Sequence, residues 1–335
     1  MCIDSLNGAD IDPDIRRFVA ETGAAYAKGG VFARLSFAEQ RSLAETVRAP
    51  WRQGGPAMAN ISERTVASPR GPVRVRIYEP AGLQGRKPAL VYIHGGGWTL
   101  FSLDTHDRVM REYAAAAGVV VVGVDYALSP EARFPVALEQ VTAVVRWLRA
   151  GAGGGDVGVD PDRLAIGGDS AGAALSVGAA LTLRDHGEVD ALRGLLLIYG
   201  AFDTLISQEA AHRYGGPAYM LSDVELDGFW ANYLSGAGDA QNPLARPMLA
   251  DLSGLPPVIL TVAECDILAE QSLIMADRLR AAGTPAQLDV YPGATHSFLE
   301  AVSISSLAQK AIADGAGWLR ERLAAAPALT AAEQA

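Results

Sequence analysis

"LAIGGDSAGAALSVG", residues 164–178, is an apolar run that reaches one serine between glycine shoulders and continues into an alanine-rich stretch. Inside it Gly168-Asp169-Ser170-Ala171-Gly172 spells G-x-S-x-G. A strand that turns at once into a helix displays the residue at the turn, and the turn leaves no room for side chains two residues to either side. The serine then stands where the helix begins, so free N–H groups and the positive end of the helix dipole face any anion formed nearby. The stretch predicts a strand, a forced turn, a helix, and a nucleophile at Ser170.

The flanking chain repeats the alternation. Residues 88–95, 118–126, 163–169, 193–200 and 257–264 are continuous apolar runs, the pattern of strands buried on both faces. Helical spacing fills 105–117, 135–150, 171–184 and 269–282 between them. Strand alternating with helix means βαβ units and a mostly parallel sheet. "VRVRIYEP" (73–80) alternates with period two, as a half-buried antiparallel strand does. The last strand falls at "AQLDVYP" (286–292), and 302–323 reads as a closing helix.

With 335 residues, half of them hydrophobic, the chain holds a sizeable packed core. A net charge of −10 argues against nucleic acid as the main partner. Cys2 and Cys265 show no metal-like spacing and exclude a disulfide framework, so a reducing compartment is the default. The N-terminus carries acids where a signal peptide carries a basic region and an apolar one, and no apolar run is long enough to span a bilayer. These features predict a cytoplasmic protein with no membrane partner.

Two segments stand outside the rhythm. Residues 14–27 and 36–50 have helical apolar spacing, precede any strand, and must pack on something else. The interval 203–251 is far longer than an ordinary connection. It contains a helix signal at 222–234, with Ser222 as N-cap and Glu225 three residues on. An insertion above a parallel sheet predicts a lid or pocket wall, meeting the N-terminal helices. Phe18, Phe32, Trp51, Phe229 and Trp230 are wall candidates that packing explains as well.

"YIHGGGWTL" (92–100) puts His94-Gly95-Gly96-Gly97 directly after a buried strand. Acyl transfer needs donors aimed at the oxygen that turns negative, and glycines let backbone N–H groups approach it. Gly96 and Gly97, joined by the N–H of Ala171, are the expected oxyanion hole. No Lys-Ser/Thr follows the glycines and no G-x-G-x-x-G precedes a downstream acid, so a nucleotide loop is disfavoured. Hydrolases of this class run Ser, then Asp/Glu, then His. His94 precedes the serine and is expected to support the glycine loop instead. Of the histidines after Ser170, His186 falls at a helix end and His212 in the insertion, whereas His296 lies on a loop after the last strand. His296 is the expected base. Asp266, just past a strand, is the expected acid, with Glu264 as substitute and Glu270 already inside the next helix.

Together "HGGGW" (94–98), "DYALSPEARFPVALEQ" (125–140), "GDSAG" (168–172) and "DLSGLPPVILTVAECD" (251–266) resemble the hormone-sensitive-lipase-like branch of the α/β-hydrolases, the bacterial family IV esterases. The resemblance covers nearly the whole chain. It implies an eight-stranded sheet flanked by helices and a helical cap built from residues 1–60 and an insertion at about 203–250. Residues 61–325 then form the catalytic domain and 326–335 a tail. It further implies a Ser170–Asp266–His296 triad and short- to medium-chain acyl esterase activity without metal or cofactor. Amide cleavage by the same triad is the alternative, and a non-catalytic small-molecule receptor on this fold is the alternative of another class. An edge strand at 286–292 can pair with a second copy, so a homodimer is an open expectation. Departures surround the motifs: Ala127 and Ser129 replace the family's arginine and alanine, Gln271 stands for a glutamate, and "HGF" becomes "HSF" at 296–298.

Overall fold

The computed structural model describes residues 10–151 and 158–324. Cys2 and the tail at 326–335 lie outside the described residues. Eight strands form one sheet in the order β1-β2-β4-β3-β5-β6-β7-β8. They are β1 (Asn60–Val66), β2 (Val73–Glu79), β3 (Lys87–Ile93), β4 (Val120–Asp125), β5 (Val159–Asp169), β6 (Leu192–Ile198), β7 (Val258–Cys265) and β8 (Ala286–Thr295). Only β2 runs antiparallel to its neighbours, β1 and β4. From β4 through β8 every pairing is parallel.

The helices are α1 (Pro13–Lys28), α2 (Phe37–Arg48), α3 (Asp107–Ala117), α4 (Val136–Arg149), α5 (Ala171–Asp185), α6 (Gln208–Tyr214), α7 (Asp223–Tyr233), α8 (Ala269–Ala281) and α9 (Ser306–Arg322). The sheet is buried on both sides because its apolar runs feed two separate cores. Val91, Val122, Ile166, Leu197 and Leu260 pack toward α4, α5 and α8. Tyr92, Val121, Ala165, Leu196 and Ile259 pack toward α1, α3 and α9.

Two local differences from the sequence pattern have plain causes. β1, "NISERTV", has an exposed face and pairs on one side only, so hydrophobic patterning misses it. Its Glu63 instead sits between Arg74 and Arg76 of β2, at 3.2 and 2.9 Å. The closing helix begins at Ser306 rather than 302, because residues Phe298–Ser303 take a 3₁₀ turn and the Ser305 side chain caps the first turn of α9. The capping box at Ser222 and Glu225 forms as its spacing predicts and starts α7.

The N-terminal helices do meet the insertion. α1 touches the turn at Pro217–Tyr219, and Arg48 at the end of α2 lies 3.8 Å from Met220 Sδ. Arg48 also forms an ion pair of 3.3 Å with Glu300, each side chain 4% exposed. Burial works against the Arg48 charge, but Glu300 and Tyr26 outweigh it and hold the guanidinium firmly protonated. The pair ties α2 to the segment that follows β8. Phe18 and Trp51 pack edge to face at 4.7 Å, and Phe32 packs on Tyr26 in the same way at 5.5 Å. Among the described residues no helix is long and apolar enough to cross a membrane.

Candidate active site

Ser170 occupies the turn between β5 and α5, with φ 54° and ψ −117°. That conformation costs a non-glycine residue about 1–3 kcal/mol and is held from both sides. Ser170 N–H donates to Ile198 O at 2.9 Å, and Ala201 N–H donates back to Ser170 O at 3.2 Å. Gly168 and Gly172 supply the clearance: a Cβ on either one would overlap the carbonyl oxygen of Ile93 at the end of β3. The turn thus wedges against the neighbouring strand, and the serine side chain faces the carboxyl ends of the sheet.

The two partners arrive from the next strand ends. Asp266 directly follows β7, and His296 directly follows β8. His296 Nε2 lies 3.0 Å from Ser170 Oγ, and Nδ1 lies 2.7 Å from Asp266 Oδ2. Asp266 is fully buried, and its other oxygen accepts from Leu268 N–H at 2.9 Å. Tyr199 meets the His296 ring edge to face at 4.9 Å, which fixes the plane of the imidazole.

The competing groups are elsewhere. Glu264 accepts from Gly293 N–H at 3.2 Å. Glu270 lies in the first turn of α8. His186 ends α5, with Nδ1 2.7 Å from Thr182 O, and His212 belongs to α6. Next to His296, Ser297 sits in the left-handed region at φ 61° and ψ 13°. The family's glycine suits that conformation, whereas a serine there is strained by about 1–2 kcal/mol. Glycine's larger unfolded-state freedom returns part of that difference. Ser297→Gly is expected to stabilise the fold by about 1 kcal/mol, raising Tm by roughly 2 °C in a thermal melt.

The glycine loop leaves β3 with its carbonyls occupied. Thr99 N–H and Leu100 N–H donate to Gly96 O at 3.0 and 2.9 Å, and Thr99 Oγ1 donates to Gly97 O at 3.0 Å. By contrast, the N–H groups of Gly96, Gly97 and Ala171 have no acceptor among the described residues. His94 supports this loop. Its Nδ1–H donates to Gly95 O at 2.8 Å, Tyr126 stacks on its ring at 4.4 Å, and Tyr126 O–H donates to His94 O at 2.9 Å. Burial, with His106 nearby, pushes His94 down to about 3, so its ring is neutral at ordinary pH.

α7 roofs the loop. The Phe229 ring packs directly on Gly97, where a Cβ would collide with it. Trp98 stacks on Tyr233 at 4.3 Å and meets Trp230 at 4.4 Å. Arg41 of α2 braces the same loop, donating to Thr99 O and Ser129 O at 2.9 Å each and pairing with Glu131 at 2.6 Å. Gln271 uses its whole amide: it accepts from Phe202 N–H and Asp203 N–H and donates to Asp203 O and Leu205 O, at 2.8–3.0 Å. That clamp fixes the chain as it leaves β6 for the insertion.

Sequence patterning missed Asp169 and His106, which join the glycine loop to the serine turn. Asp169 Oδ1 accepts from Tyr92 O–H at 2.9 Å and Gly95 N–H at 3.1 Å, and His106 Nε2 lies 3.3 Å from Oδ2. The only sequence signal was an acid at the variable position of G-x-S-x-G. Among the described residues no three His, Cys, Asp or Glu side chains are grouped as a metal set. A groove of about 880 Å³ between β8 and α9, lined in part by Val290, Tyr291 and Trp318, includes none of the site residues.

A parallel sheet that carries a serine on a strand-to-helix turn, with an acid and a histidine at later strand ends, is the architecture of the α/β-hydrolases. A family model described as the alpha/beta hydrolase fold matches residues 90–300, and the chain belongs to that family. It is 32% identical to a hyperthermophilic esterase from the archaeon Pyrobaculum calidifontis, with a TM-score of 0.86 over 94% of this chain and 100% of that one. It is 31% identical to an ester-hydrolase from the Lake Arreo metagenome, solved with a derivative of bipyridine phosphonate, with a TM-score of 0.85 over 93% and 98% of the two chains. A thermostable esterase from Pseudomonas putida ECU1011 is 27% identical, with a TM-score of 0.86 over 95% and 99%.

Proposed function

We propose that the chain is a serine carboxylesterase that hydrolyses short- to medium-chain acyl esters through an acyl-enzyme. The observation that carries this is the unbroken contact from Asp266 through His296 to Ser170 Oγ, at 2.7 and 3.0 Å. Ser170 Oγ attacks the acyl carbon as its proton passes to His296 Nε2. The carbonyl π electrons move onto oxygen, which the N–H groups of Gly96, Gly97 and Ala171 stabilise. Asp266 keeps the Nδ1 proton in place and stabilises the imidazolium. The tetrahedral intermediate then expels the alcohol, protonated by His296. Water repeats the sequence on the acyl-enzyme, losing a proton to His296, and the carboxylic acid leaves as Ser170 regains its hydrogen.

The Phe229 ring seated on Gly97, backed by the packed rings of Trp98, Trp230 and Tyr233, crowds the space beside the oxyanion donors and favours a short acyl group over a long one. Initial rates on p-nitrophenyl esters from acetyl to palmitoyl test the proposal. Rates are expected to peak at short to medium chains and to fall by at least about tenfold at palmitoyl. Absence of turnover at every length overturns the esterase function. Faster cleavage of a matched anilide than of its ester would instead favour the amidase, since the two reactions differ in leaving-group protonation.

A further inference from the structure

Asp169 precedes Ser170, is 3% exposed, and has a titratable ring partner that the ester mechanism leaves without a task. That partner is His106, 1% exposed, in the position just before α3. We propose that His106 is a positioning residue for the oxyanion loop: it holds Asp169 in the orientation that anchors Gly95 N–H. The proposal rests on the esterase mechanism above.

The hydrogen bonds around His106 favour its protonated form. Thr105 Oγ1 donates its one proton to Ser102 O at 2.9 Å and accepts from Ser102 N–H at 3.1 Å. With its proton on Ser102 O, it accepts from a hydrogen on His106 Nδ1, 2.9 Å away. On the other side Nε2 faces the Asp169 carboxylate at 3.3 Å and carries hydrogen too. In its protonated form the ring is held between a hydroxyl and a carboxylate. Four charged or titratable groups surround it: Asp169, Glu300, Arg48 and His94. Burial works against its charge, but Asp169 and Glu300 outweigh burial and Arg48, and the pKa stands above the ordinary histidine value. Burial likewise pushes Asp169 up, while His106 and the Tyr92 hydrogen bond hold its carboxyl below the usual range.

The consequence reaches the reaction through one atom. Asp169 Oδ1 takes Gly95 N–H at 3.1 Å, and Gly95 is followed at once by the two donors of the oxyanion hole. A displacement on the order of an ångström at such donors is costly, because they are aimed at a charge that exists only in the transition state. Above its pKa, His106 keeps a single N–H. With that hydrogen on Nε2 it still reaches Asp169, but the bond loses its charge assistance and the anchor loosens. This mechanism gives kcat an alkaline limb that belongs to His106.

The test compares His106→Leu and His106→Gln with wild type on p-nitrophenyl butyrate, from about pH 5 to about pH 10. His106→Leu is expected to lower kcat by about 10–100-fold with KM changed by less than about threefold. His106→Gln, whose amide still donates to Asp169 but does not titrate, is expected to recover kcat to within about fivefold of wild type and to lose the alkaline limb. A leucine variant with wild-type kcat overturns the proposal. So does an alkaline limb that is absent from wild type or unchanged in the glutamine variant. Should the leucine variant fail to fold, the glutamine pH profile decides alone. A wild-type protein inert to every ester removes the esterase function itself; an active wild type whose alkaline limb persists in the glutamine variant removes only the role of His106.

Discussion

Ser170→Ala is expected to lower kcat on p-nitrophenyl esters by about 10⁴–10⁶-fold. In the proposed mechanism the serine forms the acyl-enzyme, and no water substitutes for an oxygen held 3.0 Å from His296 Nε2. A residual acceleration of about 10³-fold over water is expected from the oxyanion donors and substrate binding, which the substitution leaves intact. Stability is expected to change little. Alanine bears the same strain at φ 54°, the backbone bonds to Ile198 and Ala201 remain, and the only side-chain bond lost is the one to His296. A Tm close to wild type, together with the collapse in kcat, assigns the loss to chemistry. Wild-type rates in the variant would remove Ser170 as nucleophile and with it the proposed mechanism.

What patterning could see was short-range. A strand covered on both faces must be apolar throughout, so the cores of β3 to β7 stand out as uninterrupted runs. The Ser222 capping box and the glycine pair around Ser170 are equally local, set by sterics within a few residues. Chain order and strand ends then pointed to Asp266 and His296, which lie 2.7 Å apart, because loops at one edge of a parallel sheet converge without any pairing rule. Interactions between distant segments stayed hidden. β1 is held by its backbone ladder to β2 and buries only Val66, so hydrophobicity does not announce it. Arg48 and Glu300 are close to opposite ends of the chain, and neither residue type announces a buried partner. Likewise nothing in 105–106 points to Asp169, and the contact of Phe229 with Gly97 needed the insertion to be folded over the loop. The departures from the family pattern also became intelligible only in place: Gln271 completes a four-bond clamp, whereas Ser297 retains strain.

Asp266→Asn is expected to lower kcat at neutral pH by about 10⁴-fold, although it changes one oxygen to nitrogen. The geometry dictates the direction. Asp266 Oδ1 accepts from Leu268 N–H at 2.9 Å, so the asparagine must place its carbonyl oxygen there. Its NH₂ then takes the position of Oδ2, facing His296 Nδ1 at 2.7 Å. Two donors cannot share that contact, and His296 responds by leaving Nδ1 bare and moving its hydrogen to Nε2. An imidazole with hydrogen on Nε2 cannot accept the Ser170 proton, and the developing imidazolium also loses its carboxylate. The alternative amide orientation sets NH₂ against Leu268 N–H, a clash of two donors in a fully buried site. Glu264→Gln provides the contrast, because its carboxylate contacts Gly293 N–H rather than His296. That variant is expected to keep kcat within about tenfold of wild type, since a glutamine oxygen still accepts the same bond. Steady-state rates on one ester with the two purified variants separate the assignments. A large loss for Asp266→Asn alone makes Asp266 the partner of the base, and the reverse pattern would transfer that role to Glu264.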